Sequence, residues 1–354
     1  MIGAGVVGLS VAWLLSQKGH RVLVIDPAIQ TGQGAQAGSH AALGLLMAQV
    51  FRRSSGRGWR LRQQSLALWQ AWRVQLEQRG YPIPFRPGLL QLASNEEEWI
   101  AQQHLAQQRQ NQGLPLQLVD AAALSVLQPS LPRAAMGGLL SPLDGQLDPQ
   151  PAMRALLNDA RRQGLQTVAQ PVLAIERGPG DPHQRWCVHT AAGSHQSQWL
   201  VVAAGLGSPA LLDALGHERP QSPVLGQALE LQLPMGCDAD DWPASLSWNG
   251  INLVPRPQGR LWLGATVEPG EEWGSPSALQ ALRDLDGHAP PWLVDAEVVQ
   301  HWQGLRARPN NRPAPLIEAL EPGLLLTSGH YRNGVLLAPA SAAWVAEQVE
   351  EDQP

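Results

Sequence analysis

The sequence predicts an α/β fold: one domain of alternating helices and strands, interrupted by a discontinuous α+β domain built on an antiparallel sheet. Three observations predict it. A Gly3-x-Gly5-x-x-Gly8 turn opens directly into an apolar stretch with helical spacing, and a buried strand ending in Asp26 follows. A second block of helix and strands lies between Asp148 and Pro209. The segments between and after, about Leu76 to Gly145 and Gly216 to Val298, carry alternating apolar runs that read as strands of a separate sheet. At 354 residues the chain is long enough for two intertwined domains with a ligand cleft between them. The expected partition assigns 1–75, 146–215 and 299–354 to the first domain and 76–145 with 216–298 to the second.

Taken in order, Leu9-Ser10-Val11-Ala12-Trp13-Leu14-Leu15 is a helix that stops at Lys18-Gly19, and Arg21 to Ile25 is the strand that delivers Asp26. In a Rossmann-like dinucleotide fold the glycines admit a pyrophosphate to the helix N-terminus, and the acid accepts hydrogen bonds from a ribose. The pattern also demands a buried parallel strand before Gly3, for which only Met1 and Ile2 are present. A stub would leave its neighbours without backbone partners, so the natural start is expected upstream. Pro151 to Gln163 has helical periodicity, and Val168 to Arg177 and Trp186 to Thr190 read as strands split by the turn-rich Gly178-Pro179-Gly180-Asp181-Pro182. The run Trp199 to Gly205 is a buried strand entering a small-residue turn, where Ala204 and Gly205 allow close approach to a cofactor. Gly250 to Pro255 and Arg260 to Ala265 flank a Gln258-Gly259 turn, and a helix is expected from about Ala338 to Glu350. The Gln-rich stretch from Gln102 to Gln112 reads as a solvated helix face, and the 14 Trp as the aromatic share of the core.

Composition excludes several classes. The formal net charge of −5 and dispersed arginines give no nucleic-acid footprint. Lys18 is the only lysine, which argues against Schiff-base chemistry. Cys187 and Cys237 lack metal or redox spacing and read as reduced thiols of a cytoplasmic protein, with no metal and no disulfide. The apolar opening from Ile2 to Leu15 has no basic flank and is too short to span a bilayer, so no membrane partner is expected.

The run Gly329-His330-Tyr331-Arg332-Asn333-Gly334-Val335-Leu336-Leu337-Ala338-Pro339 carries the most specific information. It sets an arginine between glycines just before the last helix. Glycines let a backbone approach a flat ring, and a guanidinium can grip a carboxylate with two parallel hydrogen bonds. Together with Ser39-His40-Ala41-Ala42-Leu43-Gly44-Leu45-Leu46, Pro171-Val172, Leu253-Val254-Pro255-Arg256, Gly264-Ala265-Thr266 and Gly304-Leu305-Arg306, it resembles the D-amino-acid oxidase superfamily over essentially the whole chain. Within it the nearest resemblance is to the glycine oxidases of thiamine biosynthesis.

The resemblance implies non-covalent FAD, a Rossmann-like FAD-binding domain with a discontinuous α+β substrate domain, and oxidative deamination of a small amino acid, glycine first, by dioxygen. It places FAD contacts on Gly3, Gly5, Val6, Val7, Gly8 and Asp26. Further contacts fall on Gly38, Ser39, Leu43, Gly44, Leu45 and Val172, and on the loop Gly329, His330, Tyr331, Arg332, Asn333, Gly334, Val335 and Leu336. The substrate carboxylate falls to Arg332 and Arg306, with Arg308 an alternative because the usual Gly-Leu-Arg-Pro run is here Gly304-Leu305-Arg306-Ala307-Arg308-Pro309. Asn252 stands where the family carries an aromatic residue, commonly Tyr, and Gly250 and Leu45 also depart from the pattern.

The implied chemistry is hydride transfer from the substrate α-carbon, with the carboxylate clamped and the amine neutral, followed by imine hydrolysis to glyoxylate and ammonia and formation of hydrogen peroxide. Orientation and electrostatics carry such a reaction without a protein acid or base. Thiazole synthase is the implied functional neighbour, and a homo-oligomer is left open. The rival readings are a D-amino-acid dehydrogenase, a secondary-amine (sarcosine-type) oxidase, an impaired FAD-binding protein and a nicotinamide-dependent dehydrogenase.

Overall fold

The computed structural model describes residues 1–31, 37–178, 185–237, 239–270 and 273–351. From 179 onward, the turn expected at 178–182 lies outside the described residues. Ile2 stands at the centre of a parallel sheet, bridged to Ile25 on one side and Val202 on the other. Leu23–Ile25 continues to Gln166–Val168, Leu200–Val202 continues to Leu324–Ser328, and Leu316–Glu321 closes the far edge antiparallel. Met1 and Ile2 pair by backbone with both neighbours: Ile25 N–H donates to Met1 O and Ile2 N–H to Val201 O, both at 2.9 Å.

The helix Val6–Gln17 starts where the chain leaves that strand. Its start requires glycine twice over. Gly3 sits at φ +101°, where a Cβ would meet Ala203 O at 2.5 Å, and a Cβ on Gly8 would meet Gly3 O at 2.0 Å. The helix is apolar nearly all round, as a helix buried between layers must be. It packs on Gly334–Glu351 and Pro149–Arg162, and Gly56–Gln78 covers Gly334–Glu351 in turn. Indoles fill the junction, Trp13 against Trp72 with ring centroids 4.6 Å apart and Trp69 against Trp72 at 5.7 Å. The other face of the sheet carries a three-stranded antiparallel sheet, Val172–Arg177, Trp186–Thr190 and Gly193–Ser197. Strand Val168 to Arg177 of the sequence reading is two strands, broken at Pro171, which has no N–H for a ladder. This is the Rossmann-like half of an α/β fold.

The second half is a ten-stranded sheet. Its order runs Glu268–Pro269, Gln221–Gln232, Arg260–Gly264, Ile251–Arg256, Ser245–Trp248, Phe85–Ala93, Gly137–Leu147 and Leu45–Leu46, with Glu297–Pro309 on Gln221–Gln232 and Gln117–Asp120 on Gly137–Leu147. The hairpin expected around Gln258-Gly259 is present, Asn252 opposite Gly264. One pair departs from the antiparallel expectation: Ser245–Ser247 lies parallel to Leu89–Gln91. Alternation marks a half-buried strand but carries no direction. Strand Glu297–Pro309 runs through the boundary expected at 299, and Gly56–Gln78 runs through the one at 75/76.

The Gln-rich helix Glu96–Asn111 is capped by Asn95, whose Oδ1 accepts from Glu98 N–H at 2.9 Å, with acids through its first turn. Its expected solvated face is not uniform. Gln102 and Arg109 are buried, since Gln102 Nε2 donates to Gln91 O and Arg109 Nε to Gln49 O, each at 3.0 Å. Cys187 and Cys237 are free, and no described helix is long and apolar enough to cross a membrane.

Asp159 ties three of the layered helices together. Buried in Pro149–Arg162, its Oδ2 accepts from Trp13 Nε1 and Arg79 Nη1, both at 2.8 Å, and from Gln17 Nε2 at 3.0 Å. Asp159→Ala strands a buried indole N–H, so urea unfolding is expected to show a loss of about 2–4 kcal/mol with the m-value unchanged.

Candidate functional site

Between the two sheets lies one elongated cavity of about 1250 Å³. One end is the glycine turn. Gly3, Gly5, Val6, Val7, Asp26, Gly38 and Ser39 line it. Gly5 caps the helix with no side-chain acceptor of its own, which leaves first-turn N–H dipoles for an anion. Ser39 Oγ accepts from Val6 N–H at 3.1 Å, and Asp26 accepts from the N–H groups of Ala4 and Ala28 at 2.8 and 2.7 Å, fixing both carboxylate oxygens at the wall. Leu43, Gly44, Leu45, Val172, Ala204 and Gly205 line the middle. The loop Gly329, His330, Tyr331, Arg332, Asn333, Gly334 and Val335 forms the far wall. Gly8 and Leu336 are absent from that lining: Gly8 packs on Gly3 O, and Leu336 is buried in the helical core. The last helix begins at Gly334 rather than near Ala338, so its positive end lies at the cavity wall itself.

Two guanidinium groups meet at the far end. Arg306 Nη1 donates to Leu225 O and Thr266 O, both at 3.0 Å, leaving its other donors free of these two carbonyls. Burial first, then the Arg332 charge, hold it below its ordinary pKa, yet a guanidinium remains cationic at neutral pH. Arg332 has no hydrogen-bond or ion-pair partner among the described residues. Unpaired like charges in one cleft are unfavourable until an anion joins them. Arg308 is exposed and lies off the cavity, 5.9 Å from the Tyr331 ring, so Arg306 is the one that reaches it. Asn252 lines the same end with its Oδ1 buried and unpartnered, and the hydroxyl of Thr327 is likewise a buried orphan on the wall. These are polar groups waiting for a ligand.

Several contributors were not singled out from the sequence. Gly226 is flat under the Arg306 head, where a Cβ would sit 2.1 Å from Nη2; a glycine inside a strand pattern was the available signal. Behind it, Thr266 Oγ1 accepts from Gln227 N–H at 2.8 Å, and Glu268 accepts from Gln227 Nε2 at 2.9 Å and Ser275 N–H at 2.7 Å. A second support holds the segment 47–53. Buried Asp144 accepts from the N–H groups of Ala48, Gln49 and Val50, while Arg109 donates to the carbonyls of Gln49, Phe51 and Arg53. Burial raises the Asp144 pKa to about 6 against the pull of those three N–H groups. No grouping of three His, Cys, Asp or Glu that could hold a metal occurs among the described residues.

Residues 1–348 match the family described as FAD dependent oxidoreductase. The chain belongs to this family. The cavity suits its cofactor: two helix N-termini at its wall, one of them with a glycine cap, glycines where side chains would intrude, and an orphaned hydroxyl at Thr327. This FAD-dependent oxidoreductase is 27% identical over 99% of its length to a glycine oxidase of Bacillus licheniformis, covering 92% of that protein. It is 31% identical over 99% of its length to a bifunctional protein ThiO/ThiG of Synechocystis, spanning 51% of that longer chain. The crystal structure of glycine oxidase from Geobacillus kaustophilus superposes with a TM-score of 0.86 at 28% identity, over 100% of this chain and 94% of that one.

Two outcomes follow from the site. Gly226→Ala displaces the Arg306 head, and acetate affinity, read from the perturbation of flavin absorbance, is expected to fall about tenfold with FAD content unchanged. His330 is buried and held neutral, its pKa lowered to about 3 by burial and then by Arg57, with Nε2 on Ser341 Oγ at 2.8 Å. The unfolded chain protonates it below its ordinary 6.5, so stability is lost as pH falls below 6.5, by about 1.4 kcal/mol per unit toward pH 3. Urea midpoints between pH 7 and 5 should show this slope, and His330→Gln should flatten it.

Proposed function

We propose that this FAD-dependent oxidoreductase catalyses oxidative deamination of a small amino acid, with glycine its first substrate. The observation that carries the reading is the pair Arg306 and Arg332, two mutually repelling cations lining one cavity with no carboxylate bonded to either among the described residues. A substrate carboxylate relieves that repulsion and accepts from both heads, fixing the α-carbon without any further acid or base. FAD, when bound, supplies the two-electron oxidation of the C–N bond, after which water hydrolyses the imine to glyoxylate and ammonia and dioxygen is reduced to hydrogen peroxide.

The cofactor would be held by the Gly3–Gly8 turn, Asp26, Ser39 and the Gly329–Val335 loop. His330, kept neutral by burial, adds no third positive charge to the clamp. Asn252 supplies an acceptor for an amine N–H, or, with its amide turned, a donor to the carboxylate. Having no ring, it also leaves room beside the amine, which favours a secondary-amine substrate as the second reading. A link to thiazole synthesis and a cytoplasmic location are expected from the sequence resemblance, the former also from the ThiO/ThiG relative.

The test is anaerobic mixing of purified protein with glycine while flavin absorbance is followed. Rapid bleaching, and one hydrogen peroxide per glyoxylate in air, is the expected result. Arg332→Ala should lower kcat/KM at least about a hundredfold, about 3 kcal/mol for a charged hydrogen bond lost in a partly closed site. Flavin that stays oxidised with glycine but bleaches with N-methylglycine would move the assignment to the secondary amine.

A further inference from the structure

Five arginines line the cavity, Arg52, Arg53, Arg62, Arg306 and Arg332, against one acid, Asp26, which lies at the nucleotide end and is engaged by two backbone N–H groups. Two of the five belong to the carboxylate clamp. Of the other three, Arg62 reaches the loop that carries Arg332, and Arg52 and Arg53 follow the ring on which Arg62 rests. Arg62 Nη2 donates to Asn333 Oδ1 at 3.1 Å, next to Arg332, and its guanidinium lies 3.9 Å over the Phe51 ring. Arg52 and Arg53 follow Phe51 on the segment that Asp144 and Arg109 hold by its N–H and carbonyl groups. Both are exposed, and neither side chain has a hydrogen-bond or ion-pair partner among the described residues.

A flexible arginine on a floppy loop is a solvated charge. Two adjacent ones on a backbone fixed by buried ionic groups, in the wall of a cleft that already holds three more arginines, focus a positive potential there. The other polar side chains of this wall, among them Gln91, Asn252, Tyr331 and Asn333, carry no carboxylate. The wall offers nothing to a cationic side chain and two free forks to an anionic one. We infer that the cavity is built for an amino acid carrying a second carboxylate, the first held by Arg306 and Arg332 and the second by Arg52 and Arg53. This rests on the clamp reading above and narrows its substrate class.

The experiment measures binding to the FAD-loaded enzyme, so it does not depend on turnover. Succinate, its monoamide succinamate and acetate are titrated at low ionic strength, and dissociation constants are read from the shift in flavin absorbance. Succinate is expected to bind about tenfold more tightly than succinamate, the gap shrinking as salt is raised. In the Arg52→Gln/Arg53→Gln double variant the gap should close to within twofold while the acetate constant moves less than threefold. In turnover, kcat/KM for N-(carboxymethyl)glycine over that for its monoamide should fall in parallel. Acetate binding with no preference for succinate, or a preference that survives the double variant, overturns this inference alone. Failure of acetate and succinate alike to bind overturns the clamp and this inference with it.

Discussion

Two guanidinium groups facing one cleft without a carboxylate between them set the terms for the rest of this structure. Such a pair is self-repelling and partly desolvated, and it persists because the fold supplies compensating dipoles from elsewhere. Arg306 is offset by two backbone carbonyls, Leu225 O on the strand Gln221–Gln232 and Thr266 O on the connection between Arg260–Gly264 and Glu268–Pro269, which must be brought together. That arrangement needs a glycine at 226, since any side chain there would occupy the space of the Arg306 head. It also needs Thr266 and Glu268 tied to Gln227 behind the clamp. The ten-stranded sheet can thus be understood as the frame that holds one positive charge in place, while the Rossmann-like half presents the other on the loop before its last helix.

The glycine turn was legible because its pattern is local. Gly3, Gly5, Gly8, the following helix and Asp26 occur within one stretch of chain, although of the close contacts behind the glycines only that of Gly8 with Gly3 is local; Ala203 and Ser39 crowd Gly3 and Gly5 from elsewhere in the sequence. The pairing before Gly3 was not readable; that Ile2 is bridged on both sides depends on Val202, a residue far away in sequence. The Arg332 loop was legible by its glycines, though the last helix proved to start at Gly334, because the 3₁₀ turn Tyr331–Asn333 leads directly into it.

What the sequence did not disclose was everything held by long-range polar contacts. Asp144 and Arg109 carry no motif, and nothing in their neighbours says that they converge on the segment 47–53. The choice between Arg306 and Arg308 was open for the same reason: both alternate to one side of a strand, and only the strand's position relative to the cavity separates them. The parallel pairing of Ser245–Ser247 with Leu89–Gln91 and the continuity of Glu297–Pro309 across an expected boundary are likewise properties of topology, which hydrophobic pattern does not encode.

The helices at the two extremes of the chain pack against each other and are pinned at their outer ends by Lys18 and Glu350, 332 residues apart. During synthesis the apolar helix Val6–Gln17 therefore emerges long before the surface that covers it. Contacts of such sequence separation close slowly, and until they do an exposed helix that is greasy nearly all round is open to misassociation. The fold that brings the glycine turn and the Arg332 loop to one cavity is for this reason one whose first helix is fully covered only when the last has been made.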